Sequence, residues 1–81
     1  MKQKQDIHDL KPVIRIGKNG VTENIINEVK MLVKKKKIVK IKVLRSALNS
    51  ETMDQIADKI LKETNLKIVQ LRGHSVVVAR K

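Results

Sequence analysis

Residues 10–22 constrain the fold of this chain more than any other segment. A proline and the β-branched residues that follow it predict a short strand over 12–16. Gly17 and Gly20 then bracket a loop, and Thr22 has the side chain of a helix N-cap. A glycine-flanked loop between a strand and a helix N-terminus can present backbone N–H groups to an anion. The segment therefore predicts a strand–loop–helix unit with a candidate phosphate site.

The distribution of charge indicates a polyanionic partner. The chain has 81 residues, 19 Lys and Arg against 8 Asp and Glu, and a net charge of +11. No acid stands between Glu28 and Glu51, whereas eight basic residues do: Lys30, Lys34, Lys35, Lys36, Lys37, Lys40, Lys42 and Arg45. Lysine-rich composition also accompanies heat adaptation and genome bias, but clustering of this size favours nucleic acid.

The residue types that are missing narrow the possible modes of binding. The sequence has no Phe, Tyr or Trp, so bases cannot stack on aromatic rings as they do in most single-strand-binding domains. Contacts should therefore fall on phosphate and sugar, with modest sequence preference. The sequence also has no Cys, no apolar run of membrane-spanning length and no signal peptide at its polar start. We expect one cytoplasmic, monomeric domain over residues 1–81, with 1–6 flexible, no membrane contact, no cofactor and no small-molecule substrate.

The remaining apolar periodicity predicts the other elements. A helical turn precedes the first strand, and a helix follows the Thr22 cap and ends in the lysine run. A strand is expected over Ile38 to Arg45, then a helix capped by Asn49 or Ser50 and ended by Asn65 in the left-handed conformation. Runs over 67–72 and 75–80 form a hairpin around Gly73-His74.

The predicted fold is a two-layer α/β sandwich in the order β-α-β-α-β-β after the N-terminal turn, with two long helices on one face of a four-stranded mixed sheet. Alternation predicts which strand residues face the helices: Val39, Ile41, Val43, Val69, Leu71, Val77 and Ala79. The opposite face would carry Lys40, Lys42, Gln70, Arg72 and Arg80 beside Ile68, Val76 and Val78. We expect the N-terminal segment, through Ile7 and Leu10, to cover these apolar side chains.

Four parts of the sequence together resemble one known family: the Leu10-Lys11-Pro12 lead-in, the turn from Ile16 to Thr22, the strand from Ile38 to Val43, and the Gly73 hairpin. They are similar to the CRM domain, named for chloroplast RNA splicing and ribosome maturation, and to its stand-alone prokaryotic members. The resemblance implies a fold like the C-terminal domain of translation initiation factor three. It also implies RNA binding through a Gly-x-x-Gly loop, on precursors of the large ribosomal subunit.

Nine residues are the candidate RNA contacts: Lys11, Arg15, Gly17, Lys18, Asn19, Gly20, Lys40, Lys42 and Arg72. The loop glycines also suit an ordinary β-to-α turn, and the lysines of the strands also suit an ordinary exposed face. The run from Lys34 to Lys37 is interpreted as a solvated helix end, because four successive side chains point in different directions around a helix. We expect Gly20→Asp to weaken RNA binding while unfolding stays cooperative.

The two histidines, His8 and His74, stand far apart with no third ligand near either, so a metal site is not expected. The sequence offers no catalytic constellation, and we expect a non-enzymatic RNA-binding protein acting on ribosomal RNA. An Alba-type chromatin protein, which dimerises and coats duplex DNA, shares the order of elements and remains the alternative. A scaffold that contacts proteins more than RNA is a third possibility, distinguished by binding that persists at high salt.

Overall fold

The computed structural model describes residues 11–81, and it confirms the predicted α/β architecture. The strands are β1 (Pro12–Ile16), β2 (Ile38–Val43), β3 (Leu66–Arg72) and β4 (Ser75–Arg80), and the helices are α1 (Glu23–Lys36) and α2 (Met53–Glu63). A short 3-10 helix, Arg45–Asn49, follows β2. The expected N-terminal turn, the flexibility of residues 1–6 and the covering role of Ile7 and Leu10 lie outside the described residues.

The sheet has the order β1-β2-β4-β3, with β4 antiparallel to both of its neighbours and β1 parallel to β2. The parallel strands β1, β2 and β3 are thus joined through α1 and α2, and both connections advance in the same direction across the sheet. Crossovers between parallel strands are right-handed, which places both helices on one face. Their apolar stripes meet the sheet in one core, in which Val29, Val33, Ile56 and Ile60 pack with Ile16, Ile41 and Val43.

Helix α1 begins and ends as local chemistry dictates. Thr22 is the N-cap, and its hydroxyl oxygen accepts a hydrogen bond from the Ile25 N–H at 3.2 Å. At the other end the lysine run closes the helix as predicted, and Lys37 adopts a φ of +70° with its N–H donating to the Val33 carbonyl at 2.8 Å. The positive charges of the last turn suit the negative end of the helix dipole.

The prediction for the start of α2 is wrong. The strand expected to reach Arg45 ends at Val43, and the chain turns into the 3-10 helix before α2 begins. Ser50 has helical rather than extended backbone angles, so it does not cap the helix. Thr52 does, in a reciprocal capping box with Gln55 whose two bonds measure 3.1 and 2.9 Å.

The far end of α2 also differs from its prediction. The helix ends one residue before Thr64, whose hydroxyl donates to the Ile60 carbonyl at 2.7 Å. Asn65 follows without a positive φ, so its predicted left-handed conformation is wrong. The β3–β4 hairpin is confirmed. Gly73 has a φ of +56° and His74 does not share the positive sign, as in a two-residue turn that begins with glycine.

The predicted orientation of β4 is wrong, and that of β3 is wrong before its bulge. Val39 and Ile41 face the helices as expected, but they pair directly with Val78 and Val76, and residues paired across strands share a face. Val77 is fully buried on the other face, opposite Lys40. Three successive valines carry no alternation of polarity, so pairing with β2 decides which of them point toward the helices.

A bulge in β3 between Ile68 and Gln70 removes the regular alternation there as well. Ile68 packs on the core instead of facing away. Leu71 pairs with Val76 and so lies on the helix face as predicted, but it is 40% exposed, and Val69 at the bulge is 37% exposed. Ala79 pairs with Lys67 on the face away from the helices. Arg80 pairs with Leu66, and alternation from Val78 places it on the helix side, contrary to prediction.

Candidate nucleic-acid interface

The loop from Gly17 to Gly20 is a hydrogen-bonded β-turn. The Gly20 N–H donates to the Gly17 carbonyl at 2.8 Å, and Lys18 and Asn19 are its two exposed central residues. Neither central residue has a positive φ, as in a type I turn. No acceptor among residues 11–81 bonds the N–H of Lys18 or Asn19. The turn therefore presents two backbone donors and a lysine, while the Gly20 N–H is already satisfied.

The two glycines of the turn differ in what they tolerate. Gly20 is buried, has a φ of +70°, and a Cβ placed on it would lie 2.9 Å from Glu51 Oε1. Gly17 has no positive φ, and a Cβ there would meet Leu44 and Ser46 at 3.9 Å, an ordinary contact distance. Gly20 is therefore required by packing and backbone conformation, whereas Gly17 has room for a methyl group.

The carboxylate of Glu51 packs against the turn at Gly20. Glu51 is only 16% exposed, and its second oxygen forms an ion pair with Lys59 of α2. An aspartate at position 20 would place its carboxylate near that of Glu51 at a strained φ, so Gly20→Asp would destabilise the fold as well as alter the turn. No local pattern predicts this contact, because Gly20 and Glu51 are distant along the chain and belong to different segments.

The turn adjoins the N-terminus of α1. Only Val21 separates Gly20 from the Thr22 cap, and Thr22 satisfies the Ile25 N–H. The amides of the first turn that lack an intrahelical partner point away from the helix body, toward the side from which the loop enters. Glu23 already lies there and complements the positive end of the dipole.

The sheet gathers three of the predicted cations into one row on the face away from the helices. Register aligns Arg15 with Lys42, Lys42 with Ser75, and Ser75 with Arg72. At about 4.8 Å between strands, the row is about 14 Å wide. The Gly17–Gly20 turn follows β1 just beyond Arg15, so this row and the turn lie at the same end of the sheet.

Two predicted residues lie farther from the turn. Lys40 pairs with Pro12, two residues back from Lys42, which corresponds to about 7 Å along the strand. Lys40 is half-buried, and the exposed Lys11 precedes Pro12. The structure thus brings Arg15, Lys42 and Arg72 close to the turn. Lys11 and Lys40 lie farther from the turn along β1 and β2.

Charge is segregated between the two layers. Within residues 11–81 the acids belong to the helices or, as Glu51, immediately precede α2, and no strand contains one. Two ion pairs form in this part of the chain, Lys59 with Glu51 and Lys62 with Asp58, so the cations of the sheet are not neutralised by described carboxylates. Among residues 11–81, the cations of the sheet layer therefore have no carboxylate partner.

Other kinds of site find no support in the same region. Among residues 11–81 no three His, Cys, Asp or Glu side chains approach closely enough to hold a metal ion. No helix of the described part is long and apolar enough to cross a bilayer.

Comparison of the chain with known proteins identifies a family and several relatives. The model of the CRS1/YhbY (CRM) domain matches residues 2–80. A probable RNA-binding protein of Methanocaldococcus jannaschii is 36% identical over 73 residues, which cover 90% of this chain and 54% of that protein. An RNA-binding protein of Haemophilus influenzae is 35% identical over 83 residues, which cover 98% of this chain and 82% of that protein. The chain thus spans about half of the archaeal relative and most of the bacterial one.

A solved structure agrees with the fold. The solution structure of a hypothetical protein from Staphylococcus aureus superposes with a TM-score of 0.72 at 25% identity, over 91% of this chain and 75% of that one. The match of the domain model to nearly every residue agrees with the resemblance seen in the lead-in, the turn and the hairpin. The chain belongs to the CRS1/YhbY (CRM) domain family.

Proposed function

We propose that this protein is a non-enzymatic RNA-binding protein that holds the RNA backbone with the Gly17–Gly20 turn and the adjacent basic end of the sheet. Its relatives from M. jannaschii and H. influenzae are named as RNA-binding proteins. The observation that carries the proposal is the convergence, at one end of the sheet, of two amides without an acceptor among residues 11–81, Lys18, and the row of Arg15, Lys42 and Arg72.

The proposed division of labour follows from these positions. The amides of Lys18 and Asn19, with the positive end of the α1 dipole, hold one phosphate. The exposed Lys18 side chain adds a mobile charge beside it. Arg15 and Arg72 contact phosphates farther along, and their planar guanidinium groups can bind two oxygens at once.

The lack of aromatic side chains supports backbone recognition over base recognition. With no ring available for stacking, discrimination between RNA sequences is modest, and the shape of a structured RNA decides the preferred site. The proposed target is ribosomal RNA during assembly of the large subunit, bound in the cytoplasm by a monomer. The family resemblance of the turn and hairpin supports this assignment of the RNA.

Salt-dependent binding tests the proposed interface. Lys18→Gln and Arg15→Gln should each weaken binding to a structured ribosomal RNA fragment and reduce the log–log salt slope by about 0.7 to 0.9 per lost phosphate contact. Fluorescence anisotropy between low and moderate salt gives both quantities. Lys67→Gln is the matched control, because Lys67 is an exposed lysine at the opposite end of the sheet.

Unchanged affinity and slope for Lys18→Gln and Arg15→Gln would remove the turn and the sheet row from the interface. Competition with duplex DNA at the same salt concentration addresses the chromatin-protein alternative, which requires DNA to displace the RNA. Crosslinking in cells, followed by sequencing of the bound fragments, tests the assignment to ribosomal RNA.

A further inference from the structure

A second basic surface lies on the helix side of the molecule, at the far end of α1 from the turn. It is a hollow of about 410 Å³ between the last turns of α1, the end of α2 and the adjoining ends of β3 and β4. Four cations line it, Lys30, Lys34, Arg80 and Lys81, together with the polar Thr64 and Asn65. No Asp or Glu side chain lines the hollow, and none among residues 11–81 forms an ion pair with any of the four cations.

Tertiary structure assembles this cluster from three parts of the chain. Lys30 and Lys34 lie one helical turn apart on the same side of α1. Arg80 lies beside them for two reasons. It pairs with Leu66 at the start of β3, and its N–H donates to the Lys37 carbonyl at 3.2 Å, which holds the end of β4 next to the end of α1.

Such an arrangement costs stability. Like charges at i and i+4 on a helix destabilise it by a few tenths of a kcal/mol, and Arg80 adds to the repulsion. The hollow between α1 and α2 nearer the turn is different, since Glu23 and Glu63 line it beside Lys30, Lys59 and Lys62. On the helix side, the positive charge without a described acidic partner is thus concentrated at the hollow beside Arg80, where a bound anion would reduce the repulsion between the cations.

We propose that the cluster of Lys30, Lys34 and Arg80, here called the distal cluster, binds a second phosphate segment of the same RNA that the turn holds. This inference rests on the proposed function and extends it to a two-point contact along α1. Along α1, Lys30 lies about 12 Å and Lys34 about 18 Å from the Thr22 cap at 1.5 Å per residue. An A-form RNA stem rises by about 2.8 Å per base pair, so it must continue for about six base pairs to reach Lys34 from the turn.

The length requirement makes the inference specific. Once the turn holds one phosphate, binding at the distal cluster becomes intramolecular and raises the affinity without a new partner. A stem too short to span the separation gains nothing from the distal cluster. Affinity should therefore depend on stem length in the wild type and lose that dependence when the distal cluster is neutralised.

The experiment compares two RNA hairpins, with stems of about 4 and about 12 base pairs, bound by the full chain at fixed salt. The distal variant is Lys30→Gln/Lys34→Gln, and the matched control is Lys35→Gln/Lys36→Gln, which removes the same charge from the same helix end outside the hollow. All four lysines are exposed, so equal thermal unfolding of the two variants is expected and is checked by circular dichroism.

The expected result is a roughly tenfold loss of affinity for the long hairpin in the distal variant, with a salt slope lower by about 0.7 to 0.9 per lost contact, and no change for the short one. The inference fails if the distal and control variants bind the long hairpin equally, or if the distal variant weakens both hairpins alike. In either case Lys18→Gln would still weaken binding, and the proposed function would stand. If wild-type protein bound neither hairpin, both proposals would fail.

Discussion

Replacing Gly20 with alanine should destabilise the fold more than the same change at Gly73. Both glycines have positive φ, +70° and +56°, so alanine at either position incurs about 1–2 kcal/mol of backbone strain. Reduced freedom of the unfolded chain offsets about 0.4–1 kcal/mol of that at each site. At Gly73 nothing lies within 4 Å of the new methyl group, so the net cost stays near 1 kcal/mol.

At Gly20 the new methyl group would lie 2.9 Å from Glu51 Oε1, closer than a relaxed contact permits. Oε1 is the far end of a flexible side chain, so Glu51 can rotate away, and the added cost is that of disturbing its ion pair with Lys59, about 0–1 kcal/mol. The total is then about 1–2 kcal/mol. For a domain of this size a difference of 1 kcal/mol changes Tm by about 4–8 °C, so the two variants should differ by about 4 °C.

Thermal unfolding of four variants measures this difference: Gly20→Ala, Gly73→Ala, Glu51→Ala, and the double variant Gly20→Ala/Glu51→Ala. Truncating Glu51 removes the clash, so in that background Gly20→Ala should cost no more than Gly73→Ala does alone. Equal Tm values for Gly20→Ala and Gly73→Ala in the wild-type background would refute the role assigned to Glu51. A penalty at Gly20 that persists without Glu51 would refute it equally.

Three further substitutions test the packing and the helix ends. Ile60→Ala should destabilise by about 2–5 kcal/mol in urea denaturation, because Ile60 is fully buried, whereas Met31→Ala, at a position 53% exposed, should stay within about 0.5 kcal/mol of wild type. Thr52→Ala removes the cap of α2 and should cost about 1 kcal/mol, with no change in the urea m-value. Lys37→Gly should raise Tm by a few degrees, because glycine relieves about 1–2 kcal/mol of strain at a φ of +70° and loses part of that gain to unfolded-chain entropy; a lower Tm would contradict this account.

Local signals in the sequence were sufficient for most of the elements. Pro12 and the residues after it specified β1, the Thr22 side chain marked the start of α1, and Gly73-His74 marked the hairpin. The cap of α2 was missed although a signal was present, since Thr52 and Gln55 have the spacing of a capping box. Asn49 and Ser50 have capping side chains too, but their backbone belongs to or directly follows the 3-10 helix.

For the candidate site too, local sequence pattern predicted some residues, and only the tertiary structure brought the others together. The turn glycines, Lys18 and Arg15 could be selected from the chain because strand, loop and helix cap follow one another within a few residues. The alignment of Arg15 with Lys42 and Arg72 depends on the strand order β1-β2-β4-β3, which no local sequence pattern predicts. The support of Gly20 by Glu51 likewise requires the chain to fold back past the turn.

Periodicity and capping act over a few residues, so composition and short-range pattern alone established an α/β order of elements, a basic character and a glycine-edged turn. The orientation of β4 and the position of the distal cluster were instead decided by strand pairing in the tertiary structure. Val76, Val77 and Val78 are equivalent in polarity, and pairing with Val39 and Ile41 selected which of them face the helices. That selection carried Arg80 to the helix side beside Lys30 and Lys34, because side chains alternate along a strand and its register is a property of the whole sheet.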